Sequence, residues 1–260
     1  MLENKALLCE DQLAQLAAQH SQLKAQLAQR TAQLSQLTAQ HSETEAKYSK
    51  LLLEKEWLMK EVHHRVKNTL QLVISLLNMQ TGYMKDAFAL DAFGDIGSRI
   101  RAISLIHQLM YQEENHMAIV NMRDYITELV SYLGTGPFSD HPVGYRLNIA
   151  PIGLDVSQSV PIGLILHEAI TNAIKHAFPR QPDAVIGISI SQQENSLICL
   201  TVSDNGRGLP ESFDPEANAS MGLQLIRTLS DQLDGSLELE NRNGFTLTLR
   251  FARQQGSFGY

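Results

Sequence analysis

The chain has 260 residues, 43% of them hydrophobic, enough for one large or two modest domains with a buried core. A formal net charge of -7 and the lack of a basic run argue against a default nucleic-acid binder. Cys9 and Cys199 are too few and too far apart for a disulfide framework or a zinc site, and no stretch has the apolar length of a signal peptide or membrane span, so a soluble cytoplasmic protein is expected.

Residues 1–60 are rich in Gln, Ala and Leu, contain no Gly or Pro, and support a heptad register. With Leu13 at a, Leu27 and Leu34 fall at a and Leu16, Leu23 and Leu37 at d; the register continues through Tyr48, Leu51, Leu58 and Val62. Two near copies, Gln15–Ser21 and Gln36–Ser42, lie 21 residues apart, which is three heptads. A parallel coiled coil is expected, weakened locally where His20, His41 and Arg30 enter the seam, with Cys9 as a small thiol at d.

The coil runs into Glu61–Asn78, an amphipathic helix expected to end near Thr81-Gly82. Val66, Leu70, Val73 and Leu77 form an apolar stripe, widened by Leu72, Leu76 and Met79, while His64, Asn68, Gln71, Ser75 and Asn78 recur on the opposite side. An imidazole on such a face can offer a ring nitrogen to an electrophile, which makes His64 a candidate phosphoryl acceptor. A second helix, Phe88 to Glu113, places Ile96, Ile100, Ile103, His107 and Met110 at heptad spacing and can fold back on the first as a hairpin. Two hairpins from two chains would make a four-helix bundle.

Mixed elements follow from about residue 116, so three regions are expected: a coiled coil over 1–60, a helical hairpin over 61–115, and an α+β sandwich over 116–260. The last should contain a helix from Met122 to Leu133, a strand from Tyr145 to Ile149 and a long helix from Val160 to Phe178 with Pro161 in its first turn. Alternating Ile186, Ile188, Ile190 and Ile198, Leu200, Val202 predict a hairpin around Glu194-Asn195. A helix from Met221 to Leu233 stopping at Gly235 precedes a second hairpin turning at Asn243-Gly244.

Three motifs in this region carry chemistry. On the long helix, Glu168, Asn172, Lys175 and His176 mostly share one side, an acid, an amide and two potential cations suited to a magnesium ion on phosphates. Asp204-Asn205-Gly206-Arg207-Gly208 follows a strand, offering a carboxylate for an exocyclic amine and glycines for close backbone approach. Ser220-Met221-Gly222-Leu223 opens a helix, where unpaired N–H groups and the dipole favour phosphate.

In that order, His167-Glu168-x-x-x-Asn172-Ala-x-Lys175-His176, Asp204-x-Gly206-x-Gly208 and the glycine-led helix resemble the ATP-binding domain shared by sensor histidine kinases and the gyrase and Hsp90 ATPases. His64-Arg65-Val66-Lys67-Asn68 after a coiled coil is similar to the phosphoacceptor motif of the subgroup with His-Arg-x-x-Asn, related to the HWE kinases. The resemblance covers about residues 60–251. It implies a homodimer that autophosphorylates His64 from ATP and hands the phosphoryl group to an aspartate on a response regulator. It further implies that Asn172 and Glu168 organise Mg2+, that Lys175 and His176 lie near the phosphates, and that Asp204 meets adenine in a pocket shaped by Gly206 and Gly208. Gly222 would lie beside the phosphates under a lid from Leu209 to Ser220. A hinge is expected near Glu114 to Ile119, and signals would travel through the coil, from a partner, from the coil itself as sensor, or from an upstream sensor of a longer protein.

The sequence also departs from the family pattern. Arg65 stands where many histidine kinases carry an acid after the phosphoacceptor, so Glu61 is the substitute candidate for general base and Arg65 is suited to compensating phosphate charge. Asn68, one turn on, is placed to orient the imidazole or hold a water. HWE kinases carry a Trp-x-Glu in the ATP domain, whereas the single tryptophan here is Trp57 in the coil. Two other classes fit parts of the pattern: an ATP-driven conformational switch of the gyrase type, and a non-catalytic dimeric scaffold that binds nucleotide.

Overall fold

A computed structural model describes residues 2–110, 119–135, 143–179, 181–193, 196–209, 220–241 and 243–254. The side chains of residues 1–12, Cys9 among them, and of residue 56 lie outside that description. The expected hinge, the lid and the Glu194-Asn195 turn fall wholly or largely outside it too. The chain divides into two compact units, Met1–Glu61 and Val62–Tyr260.

The first unit is helix throughout its described residues, the leading part of α1 (Leu2–Thr81). Side-chain bonds along it are local: Thr31, Thr38 and Thr44 return their hydroxyls to carbonyls four residues back, and Glu43 pairs with Lys47 at 2.7 Å. Among the described residues nothing covers the heptad leucines; Leu13, Leu16, Leu23, Leu27, Leu34 and Leu37 are 64–69% exposed.

The second unit begins with the remainder of α1 and α2 (Ala87–Leu109), capped by the Asp86 carboxylate accepting from the Ala89 N–H. α2 is described to Leu109 with Met110 as its cap, and residues 111–113 of the expected helix lie outside the described residues. The expected stripe is half-buried at Val66, Leu70, Val73 and Leu77, while Leu72, Leu76 and Met79 are 52–63% exposed within the single chain. His107 meets His63 of α1 across the hairpin, with ring centroids 5.5 Å apart.

Next come β1 (Ile119–Asn121), α3 (Met122–Gly134), β2 (Gly144–Ile149), β3 (Gly153–Asp155), α4 (Val156–Asn172), a π-helical turn (Ala173–Ala177), β4 (Val185–Gln192) and β5 (Leu197–Asp204). α5 (Met221–Gln232), β6 (Ser236–Asn241) and β7 (Phe245–Ala252) complete the described order. The main sheet runs β2-β4-β5-β7-β6, parallel at β2/β4 and antiparallel elsewhere; β1 and β3 pair separately. The α+β expectation is met. Ile186, Ile188, Ile190, Ile198, Leu200, Leu247, Leu249 and Phe251 line the buried face at 0–1% exposure, joined by Ile162, Ile165, Leu166 and Ile170 of α4 at 0%. Each such burial contributes roughly 1.5–3 kcal/mol against leaving the side chain in water.

α4 differs from the expected helix at both ends. It starts four residues earlier, because Asp155 caps it, accepting from the Gln158 N–H at 3.0 Å and the Ser157 hydroxyl at 2.6 Å. Pro161 therefore lies inside the helix rather than in its first turn. At the far end the last turn widens to π geometry over Ala173–Ala177, which re-aims Lys175 and His176. α5 stops where Asp234 adopts φ 50°, with the Gly235 N–H donating back to the Ser230 carbonyl; the left-handed residue is thus Asp234, one before the expected glycine.

Candidate nucleotide and phosphoacceptor sites

His64 is exposed on α1, and Asn68, Gln71, Ser75 and Asn78 are exposed with it, so the polar stripe faces solvent as expected. Arg65 is exposed and Glu61 half-buried.

The three downstream motifs converge around the end of α4. Gly222, at the second position of α5, packs directly on that helix: a Cβ there would lie 2.7 Å from Glu168 Oε2 and 3.5 Å from Asn172 Nδ2. Glycine is what permits the α5 N-terminus to approach the acid and the amide. Ser220 caps α5, its hydroxyl accepting from the Leu223 N–H at 3.3 Å. The first-turn N–H groups of α5 thus open beside Glu168 and Asn172.

The Asp204 loop is fixed from three sides. Asp204 Oδ1 accepts from the Gly206 N–H at 2.8 Å and the Phe245 N–H at 3.3 Å, and among the described residues no hydrogen bond engages Oδ2. Gly206 sits against the Ala177 carbonyl, which accepts from the Arg207 N–H at 3.0 Å, tying the loop to the π-helical turn. Gly208 holds φ 67° next to Asn241, whose side chain accepts from the Leu209 N–H and donates to the Leu209 carbonyl at 2.8 and 2.7 Å. Asn205 braces the same loop on the Val185 N–H and the Asp183 carbonyl. The sequence gives neither asparagine a role, since their partners are backbone groups 20–32 residues away.

Electrostatics at α4 bring in residues outside the sequence motifs. Arg99 of α2 forks onto Glu168, Nε to Oε1 at 2.8 Å and Nη2 to Oε2 at 2.9 Å. Ser98 Oγ and His167 Nε2 are 2.7 Å apart and His167 Nδ1 is 3.0 Å from Glu168 Oε1, which places the ring proton on Nδ1 and lets Ser98 donate to Nε2. Burial alone would raise the Glu168 carboxyl, but the hydrogen bonds from His167 and Arg99 and the guanidinium charge outweigh it and hold it down to about 2. The same bond raises Arg99 further. Lys175 donates to Asp95 at 2.6 Å and lies 3.6 Å from Asp91. His176 is exposed and lowered, by desolvation first and then by Lys175 and Arg207, with Asp91 and Asp95 opposing.

The constellation fits a nucleotide. A carboxylate with one oxygen anchored suits an amine donor, and a glycine-led helix start suits phosphate. Asn172 and Glu168 carry the oxygen donors that Mg2+ takes, and both Glu168 oxygens accept from Arg99 in this structure. Among the described residues no cluster of three or more His, Cys, Asp or Glu could hold a metal by itself, so phosphate oxygens would have to complete such a shell.

Comparison with known proteins agrees with this geometry. A histidine kinase family model matches residues 61–135, and that of the histidine kinase-, DNA gyrase B- and HSP90-like ATPases matches residues 157–255. Sensor histidine kinase PdtaS of Mycobacterium tuberculosis is 33% identical over 197 residues, covering 74% of this chain and 38% of that protein. Blue-light-activated histidine kinase 2 of Erythrobacter litoralis is 29% identical over 187 residues, covering 70% and 52%. The chain therefore spans roughly two fifths to half the length of these curated relatives. The solved histidine kinase domain of the Erythrobacter litoralis EL346 blue-light activated histidine kinase shares the fold, with TM-score 0.56 at 23% identity over 78% of this chain and 94% of that one. No described helix is long and apolar enough to cross a membrane.

Proposed function

Because the chain belongs to the histidine kinases, with a His-Arg-x-x-Asn motif related to that of the HWE kinases, we propose that it phosphorylates itself on His64 from ATP and passes the phosphoryl group to an aspartate of a response regulator. The observation that carries this reading is the pairing, within one compact unit, of an exposed His64 with the convergence of Gly222, Glu168 and Asn172.

A ring nitrogen of His64 attacks the γ-phosphorus, the bond to the β,γ-bridging oxygen breaks, and ADP leaves with that oxygen. Glu61, on the same helix, accepts the imidazole proton, and Arg65 offsets charge on the moving phosphoryl group. Asp204 receives the adenine amine on Oδ2 while Gly206 and Gly208 keep the loop close. Asn172 and Glu168 would hold Mg2+, and Gly222 would admit the phosphates to the start of α5 near Lys175 and His176. Bound Mg2+ supplies charge neutralisation between the phosphates. Asn68 orients the imidazole. A homodimer is supported by the exposed heptad seam of α1, which a second parallel copy would cover.

The test is incubation with Mg2+ and γ-labelled ATP. Wild type should acquire acid-labile, alkali-stable label, and His64→Ala should acquire none. Label persisting in the variant would remove His64 as acceptor; ATP binding with no label in either protein would favour the ATPase or scaffold readings.

A further inference from the structure

The hairpin helix α2 does more than pair with α1: it grips the nucleotide helix by its functional groups. Arg99 covers both oxygens of Glu168 at 2.8 and 2.9 Å, Asp95 holds Lys175 at 2.6 Å with Asp91 at 3.6 Å, and Ser98 reaches Glu168 through His167. Residues 91, 95, 98 and 99 lie on one face of α2 and match α4 in sign, base to acid and acid to base. The Glu168 side chain is only 4% exposed, so its fork with Arg99 is shielded from water, unlike a surface pair.

We propose that this grip is a nucleotide-sensitive latch, in which α2 occupies Glu168 and Lys175 until Mg-ATP displaces it. The inference rests on the nucleotide reading of those two residues. Charge makes the two states exclusive. A divalent cation at Glu168 and Asn172 meets the Arg99 guanidinium, and a triphosphate near Lys175 meets the carboxylates of Asp91 and Asp95. A carboxylate already accepting from Arg99 twice and from His167 has no oxygen free of a donor.

The rest of α2 explains how the latch can open without the fold coming apart. Its C-terminal half is in the core, with Ala102 and Ile106 at 0–1% exposure, and a Cβ on Gly163 of α4 would fall 2.7 Å from Ile106 Cδ1. The latch half instead contains Gly94 and Gly97, where an added Cβ would meet nothing within 4 Å. No close packing calls for glycine at either position. Their effect is to lower helix propensity between Asp91 and Arg99, so this segment can release while residues 102–109 stay packed. Apparent nucleotide affinity is then reduced by the fraction of molecules latched.

The experiment titrates the full chain with a fluorescent ATP analogue and Mg2+, comparing wild type, Arg99→Gln and Asp95→Asn, and follows amide hydrogen exchange of residues 91–99 with and without Mg-ATP. Arg99→Gln should bind roughly 5-fold or more tightly than wild type, the range of ordinary coupling, and Asp95→Asn should shift the same way. Mg-ATP should speed exchange over residues 91–99 in wild type, and nucleotide-free Arg99→Gln should already exchange fast there. Equal or weaker binding by Arg99→Gln overturns the latch and makes Arg99 an aid to binding or a plain structural pair. Should Arg99→Gln fail to fold, exchange over 91–99 that is unchanged by Mg-ATP in wild type overturns it instead. A wild type that binds no analogue at all overturns the kinase reading itself, an outcome distinct from failure of the latch alone.

Discussion

Leu34 and Leu166 carry the same side chain on two helices and live in opposite surroundings. Leu34, on the heptad seam of α1, is 64% exposed; Leu166, on α4, is 0% exposed. α4 receives cover from α2, α3 and α5 of its own chain and from the sheet beneath it, whereas the seam leucines of α1 receive none among the described residues. An apolar seam of that length in water is what the second parallel helix of the proposed homodimer would cover. Leu166 is thus covered within its own chain, and on the proposed homodimer the stability of the coil would depend on protein concentration.

Truncation at these two leucines would break that contrast if it is false. Leu166→Ala should cost about 2–5 kcal/mol in denaturant unfolding of the second unit, with no dependence on protein concentration. Leu34→Ala should leave that transition in place and move the monomer–dimer equilibrium, read by sedimentation. A concentration-independent loss at Leu34 would mean the seam is not an intermolecular one.

Acid sharpens the comparison, since the coil's described ion pairs are exposed and the Glu168 pair is buried. The carboxyl of Glu168 is depressed to about 2 in the folded protein, below its ordinary value of 4.5. Its contribution is therefore complete above pH 4.5 and is lost as pH falls toward 2, a change on the order of 3 kcal/mol. The difference between wild-type and Glu168→Gln stability should shrink over that window, and a difference that stays constant would show that Glu168 is not the group titrating.

What the sequence made legible follows from how far each signal reaches. The sheet strands alternate cleanly because one face is buried, and His64, Asn172, Asp204 and Gly222 stand in motifs whose order is itself information. β1 and β3 are three residues each, too short for a period to show. The start of α4 is displaced from the expected one because Pro161 reads as a first-turn signal, while the actual cap is Asp155. Arg99 and Asp95 are invisible in the sequence for a different reason. Each is an ordinary charge on a helix, and its partner lies 69 or 80 residues away, a separation that no local pattern encodes.

The smallest effect concerns a place where α1 and α2 meet through titratable rings. His63 Nδ1 and His107 Nδ1 lie 3.4 Å apart, so one must donate and the other accept. Protonating both would set two N–H groups against each other. Burial lowers both imidazoles, and for His107 the charge of His63 lowers it further. With folded values below the ordinary one of about 6.5, the unfolded chain takes up protons first as pH drops. Stability of the hairpin is then full above about pH 6.5 and declines below it, the reverse of what a histidine paired with a carboxylate would give. His107→Gln should flatten that decline while leaving the acid limb of Glu168 untouched, because the two contacts lie about two turns apart on α2. Stability measured by denaturant from roughly pH 5 to 8 checks this, and a wild-type curve that rises on acidification would mean that the two rings are not held as neutral neighbours.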